Sequence, residues 1–148
     1  MLDPLLIVED NDFKYQQILT VLDADTPLLR VKTFKAALPQ VRTGTFSAII
    51  LDMTFQVLET TGQTDSLEAL AGLQLLQYMK RIGKRTPVIV TTQHTTFHQP
   101  GTATIQGVEA LDDLLKAGFS GFYIGCVYMA EGNGWEKELV QHMQGIKK

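Results

Sequence analysis

The chain has 148 residues, 45% of them apolar and 20% charged, which suits one domain with a substantial core and excludes a disordered polypeptide. Thirteen basic and sixteen acidic side chains give a net charge of −3 with no basic run, so a nucleic-acid footprint is not expected. The single cysteine, Cys126, excludes an internal disulfide and any cysteine-built metal cluster, and fits a reducing compartment.

The opening MLDPLLIVED carries acids where a secretory leader would carry positive charge, and its apolar run is short. No stretch reaches the length of a membrane span, so a soluble cytoplasmic domain without membrane contact is expected. Leu5 to Val8 is the first continuous apolar run, and such a run reads as a strand buried on both faces. Asn11 or Asp12 then caps a helix whose stripe is Tyr15, Ile18, Leu19 and Leu22. Leu28 to Val31 is a weaker, more exposed strand. Phe34 to Arg42 reads as a short helix with Pro39 inside it. Ala48 to Leu51 is the next buried strand. Leu75, Met79 and Ile82 mark a helix stopped by Gly83. Val88 to Val90 is a strand, and Val108, Leu111 and Leu115 a helix ended by Gly118. Phe122 to Met129 is the last strand. Trp135, Leu139, Met143 and Ile146 form the last helix stripe, with Trp135 as its anchor on the sheet.

Strict alternation of short strands and helices implies a parallel sheet with right-handed crossovers. The expected fold is α/β: a doubly wound, five-stranded, flavodoxin-like sheet of order 2-1-3-4-5, in one domain over residues 1–148. In such sheets, sites form at the carboxyl ends of the strands near the switch in strand order. Two connections at that edge are long, Phe55 to Asp65 and Gln93 to Ile105. His94 and His98 lie in the second; on a helix their spacing would suit Zn²⁺, but TTQHTTFHQP reads as loop.

Three carboxylates meet at the switch. Glu9 and Asp10 follow the first strand and Asp52 ends the third. Like charges that close are unfavourable unless a cation sits among them. Mg²⁺ suits the pocket because it takes a few protein oxygens and leaves places for water and phosphate. Thr92 ends the fourth strand and offers a hydroxyl. A carboxylate, a metal and a hydroxyl donor make an acyl-phosphate site with Asp52 as nucleophile.

The segments LLIVEDN (5–11), AIILDMTF (48–55), GLQLLQYMKR (72–81), PVIVTT (87–92) and AGFSGFYIG (117–125) stand in an order that resembles the response-regulator receiver (CheY-like) domain of two-component signalling. The resemblance spans nearly the whole chain. It implies that Asp52 is the phosphoacceptor and that Glu9 and Asp10 hold Mg²⁺. It further implies that Thr54 gives the metal its backbone carbonyl, that Thr92 is the switch hydroxyl and that Phe122 is the switch aromatic. Tyr123 would carry the exposed ring if the register slipped by one. The implied partners are a sensor histidine kinase or phosphotransfer protein and a protein output partner, and a homodimer is admitted. No enzyme activity is implied beyond self-phosphorylation from a phosphodonor and slow self-dephosphorylation.

Two departures stand out. The family's lysine at the end of the fifth strand is replaced by Gly125, with Cys126 where a proline usually follows. Lys84, Lys116 and Lys137 are the candidates to replace it, but nothing in the sequence brings their amines there. Gly72, which opens the third helix, also comes far later after Asp52 than receivers place it. These departures keep open a pseudo-receiver, a protein-interaction module that works without phosphate. A phosphatase of haloacid-dehalogenase type would want a second aspartate where Thr54 stands.

Overall fold

The computed structural model describes residues 3–53, 71–93, 96–97, 105–130, 132 and 134–147. The apolar runs become the strands β1 (Leu5–Val8), β2 (Leu28–Val31), β3 (Ala48–Asp52) and β4 (Val88–Thr92). The two-residue strands β5 (Thr96–Phe97) and β6 (Ile105–Gln106) follow, and then β7 (Tyr123–Tyr128). Between them lie α1 (Asp12–Val21), α2 (Phe34–Thr43), α3 (Ala71–Ile82), α4 (Val108–Gly118) and, at the end, α5 (Trp135–Lys147).

The main sheet runs β2-β1-β3-β4-β7, every pair parallel. Counting its five strands in chain order, this is the expected 2-1-3-4-5. Every residue of β1, β3 and β4 is buried, whereas the edge strand β2 is only partly buried. That contrast is why β1 is apolar throughout, β3 and β4 are apolar up to Asp52 and Thr91 at their carboxyl ends, and β2 tolerates Arg30. Residues of α2, α3 and α4 join Leu6, Val8, Ile49, Leu51, Val88 and Val90 in one core layer. On the other face, Ile18 of α1 and Trp135 and Leu139 of α5 pack on Leu5, Ile7, Ile50, Ile89 and Val127. Each fully buried Leu or Ile contributes on the order of 1.5–3 kcal/mol. Trp135 is the anchor its sequence position suggests.

Three local features differ from, or refine, the sequence reading. Residues 96–97 and 105–106 pair antiparallel as a small ribbon where only a loop was expected; two-residue strands are too short to show periodicity. Pro39 lies inside α2 without ending it; Thr33 caps the helix through Oγ1, and Ala37 and Val41 anchor it in the core. The pairing of β7 with β4 carries a bulge: Val88 faces Tyr123 but Ile89 faces Gly125, so Ile124 is the extra residue.

Gly72 fixes how α3 meets the sheet. Its N–H donates to the Met53 carbonyl at 2.8 Å. A Cβ there would lie 2.9 Å from the Asp52 carbonyl oxygen and 3.0 Å from Met53 Cα. Only glycine lets the helix approach the end of β3 this closely.

Candidate functional site

β1 and β3 are neighbours in register, Val8 beside Leu51, so the residues that leave them, Glu9 and Asp52, emerge side by side. Ile7 and Ile50 face α1 and α5, and strand alternation puts Glu9 and Asp52 on that same face. One carboxylate oxygen from each of Glu9, Asp10 and Asp52 lies within 4.8 Å of the others. Glu9 and Asp52 are 1% and 3% exposed, while Asp10 is half-buried.

A cation is already present among them, and the sequence reading missed it. Lys14 is 3% exposed. Its Nζ lies 3.1 Å from Glu9 Oε1 and 3.2 Å from Asp52 Oδ1. The cap of α1 sets this up. Asn11 is the N-cap, and its Oδ1 accepts from the Lys14 N–H at 2.9 Å. A helical side chain leans toward the helix N-terminus, so a lysine in the first turn of α1 leans back over the end of β1. The available signal was Lys14 standing four residues before Ile18, on the buried face of an amphipathic helix and next to an acidic pair.

The lysines considered as candidates to replace the strand lysine are elsewhere. Lys84 Nζ donates to the Gly44 carbonyl, Lys116 pairs with Asp112, and Lys137 is exposed on α5. No lysine comes from β7 in any register. Asp52 stands beside Thr91, and Thr91 beside Val127, whereas Gly125 faces Ile89 further down the strand.

The electrostatics follow from burial. Burial, then the charge of Asp52, pushes the Glu9 carboxyl up to about 7; the Lys14 amine and the Asn11 N–H on Oε2 pull against that rise. Asp10 is raised by burial and then by Glu9. Outside the pocket, Arg30 and Lys32 hold the exposed Asp12 carboxyl below its usual range.

The donors fit a divalent cation. They are all carboxylate oxygens, as hard ions require. One oxygen from each acid lies within 4.8 Å of the others, a spacing from which a divalent ion would draw them together. Buried Glu9 Oε1 has no hydrogen-bond partner, since the amine nearby makes an ion contact outside hydrogen-bond geometry. Three carboxylates against one ammonium also leave a net charge that a divalent ion would balance.

Thr91 and Thr92 are both fully buried. By alternation Thr91 shares the face of Asp52 and Thr92 the opposite one, and Thr91 Oγ1 has no hydrogen-bond partner. Phe122 is buried against Phe119, their ring centroids 5.8 Å apart. Tyr123 is buried too, its hydroxyl donating to Asp112, so neither ring is exposed. Thr54, His94, His98 and the segment 55–65 lie outside the described residues. Among the described residues no helix is long and apolar enough to cross a membrane.

No protein-family profile matches the sequence, and no curated protein matches it. Solved structures do. The N-terminal signal receiver domain of a two-component response regulator from Bacteroides fragilis is 18% identical, with a TM-score of 0.62 over 100% of this chain and 98% of that one. The receiver domain of the Francisella response regulator 1452 is 14% identical, with a TM-score of 0.62 over 98% and 97%. The phosphorylated cyanobacterial phytochrome response regulator RcpA is 16% identical, with a TM-score of 0.59 over 99% and 92%. The chain has the fold these domains share.

Proposed function

We propose that this chain, which has the receiver-domain fold, works as a receiver: Asp52 accepts a phosphoryl group and the change is passed to a protein partner. The observation that carries the reading is the convergence of Glu9, Asp10 and Asp52 oxygens within 4.8 Å at the carboxyl ends of adjacent strands. That a structural neighbour is a phosphorylated response regulator is consistent with it. An oxygen of ionised Asp52 attacks phosphorus. The bond from phosphorus to the leaving atom breaks, and its electron pair goes with the leaving group. From a sensor kinase or phosphotransfer protein that group is an imidazole, which takes up a proton; from acetyl phosphate it is acetate. Glu9, Asp10 and Asp52 would hold a divalent ion, Mg²⁺, whose charge offsets that of the phosphoryl oxygens. Thr54 would add its backbone carbonyl.

Thr92 and Phe122 are the switch residues of this reading, and α4, β7 and α5 its output face. The domain acts in the cytoplasm and turns over no substrate of its own. A second reading, a phosphate-independent interaction module, is favoured by one observation: β7 carries no lysine where the family's phosphoryl contact is expected.

Intact mass after incubation with acetyl phosphate and Mg²⁺, beside an Asp52→Asn control, tests the choice. One added phosphoryl group on the parent and none on the control is the expected result. No adduct on a folded chain, and no response to beryllofluoride, would assign the second reading.

A further inference from the structure

We infer that Lys14 is the amine that meets the phosphoryl group at Asp52, supplied from the first turn of α1 instead of from the fifth strand of the sheet. The inference rests on the receiver reading and goes beyond it, because the resemblance implies an amine from the fifth strand and not from α1.

The position of Lys14 is one that fold stability alone would avoid. A buried ammonium loses its hydration, and a cation in the first turn faces the positive end of the helix dipole. Both costs are offset only by carboxylates, and Lys14 reaches two: Glu9 at 3.1 Å and Asp52 at 3.2 Å. Arg30 and Lys32 bind Asp12 outside the pocket. Lys84 and Lys116 bind elsewhere, and Lys137 is exposed. Among the described residues Lys14 is therefore the cation built into the carboxylate cluster.

A phosphoryl group on Asp52 replaces one negative charge by nearly two and adds three acceptor oxygens. The Lys14 amine already touches an oxygen of the carboxylate that would carry the group. A small rotation about its terminal bonds transfers it from the carboxylate to a phosphoryl oxygen. Lys14 also leaves the oxygens of Asp10 to a metal. The ammonium and the divalent ion together balance three carboxylates, so one charge balance accommodates both.

Beryllofluoride, which mimics a phosphoryl group on aspartate, separates this role from that of a plain counter-ion. The full chain is titrated with it in Mg²⁺ and followed by fluorine NMR, as wild type, Lys14→Met, Lys14→Arg and Asp52→Asn. Mg²⁺ alone is titrated in parallel by amide NMR. Lys14→Met is expected to weaken beryllofluoride binding about 10- to 100-fold, the loss of one charge-assisted bond. Its Mg²⁺ affinity should hold or rise, because a like charge has left the pocket. Lys14→Arg should restore part of the beryllofluoride affinity with a displaced fluorine resonance. Wild-type beryllofluoride affinity in Lys14→Met would overturn the inference while leaving the receiver reading intact, provided Asp52→Asn abolishes binding. No binding by the wild type would overturn both. If Lys14→Met does not fold, Lys14→Arg decides: a displaced fluorine resonance supports the contact, and an unchanged one overturns it.

Discussion

The imidazole of His142 occupies the space that a side chain at Gly125 would need: a Cβ there would lie 2.6 Å from His142 Cε1 and 2.8 Å from Nε2. Gly125 is therefore part of a packed contact between β7 and α5. Gly125→Ala should cost about 1–3 kcal/mol by overpacking, and Gly125→Lys at least as much. His142→Ala in the same chain should recover most of it. A double-mutant cycle by urea denaturation checks the coupling; additive effects would mean that the ring moves aside freely.

Gly72 carries a similar constraint against backbone, which cannot rotate away. Gly72→Ala pushes on the Asp52 carbonyl and on Met53. A loss of about 1–3 kcal/mol is expected, with a lower yield of adduct from acetyl phosphate because the end of β3 shifts. Unchanged stability would show that α3 can slide on the sheet.

The metal-free protein should lose stability as pH rises. Glu9 in the folded chain has its pKa raised from 4.5 to about 7, so the native state holds that proton more tightly than the unfolded chain does. The contribution is full below about pH 4.5 and is lost as pH passes about 7. Its size is on the order of 3 kcal/mol, and Asp10 acts in the same direction. Urea midpoints across that range, compared with Glu9→Gln, test it: the variant should show a flatter profile.

The two threonines of β4 should separate stability from signalling. Thr91 Oγ1 is buried without a partner, so Thr91→Val should stabilise the fold by about 1 kcal/mol. Thr92→Val should instead change adduct lifetime. Loss of adduct lifetime in Thr91→Val would move the hydroxyl contact to that residue.

Much of this protein was legible in local pattern. Strands buried on both faces read as nearly continuous apolar runs, as in β1, β3 and β4 below their carboxyl ends, and strict alternation with helices leads to the 2-1-3-4-5 sheet. The same rule brings Glu9, Asp10 and Asp52 together, because residues that leave adjacent parallel strands at the switch share one edge. Three things needed tertiary structure. Lys14 lies on an apolar stripe, where a charge has meaning only once its partners on two strands are in place. The bulge at Ile124 slides Gly125 away from the level of Asp52, and no spacing within one strand reveals its register against another. His142 meets Gly125 across a helix–sheet contact that depends on how α5 rotates as it docks. Sequence determined the elements and the acidic edge because periodicity and crossover rules are local. Tertiary packing decided which cation enters that edge, because ion pairing depends on distance in space.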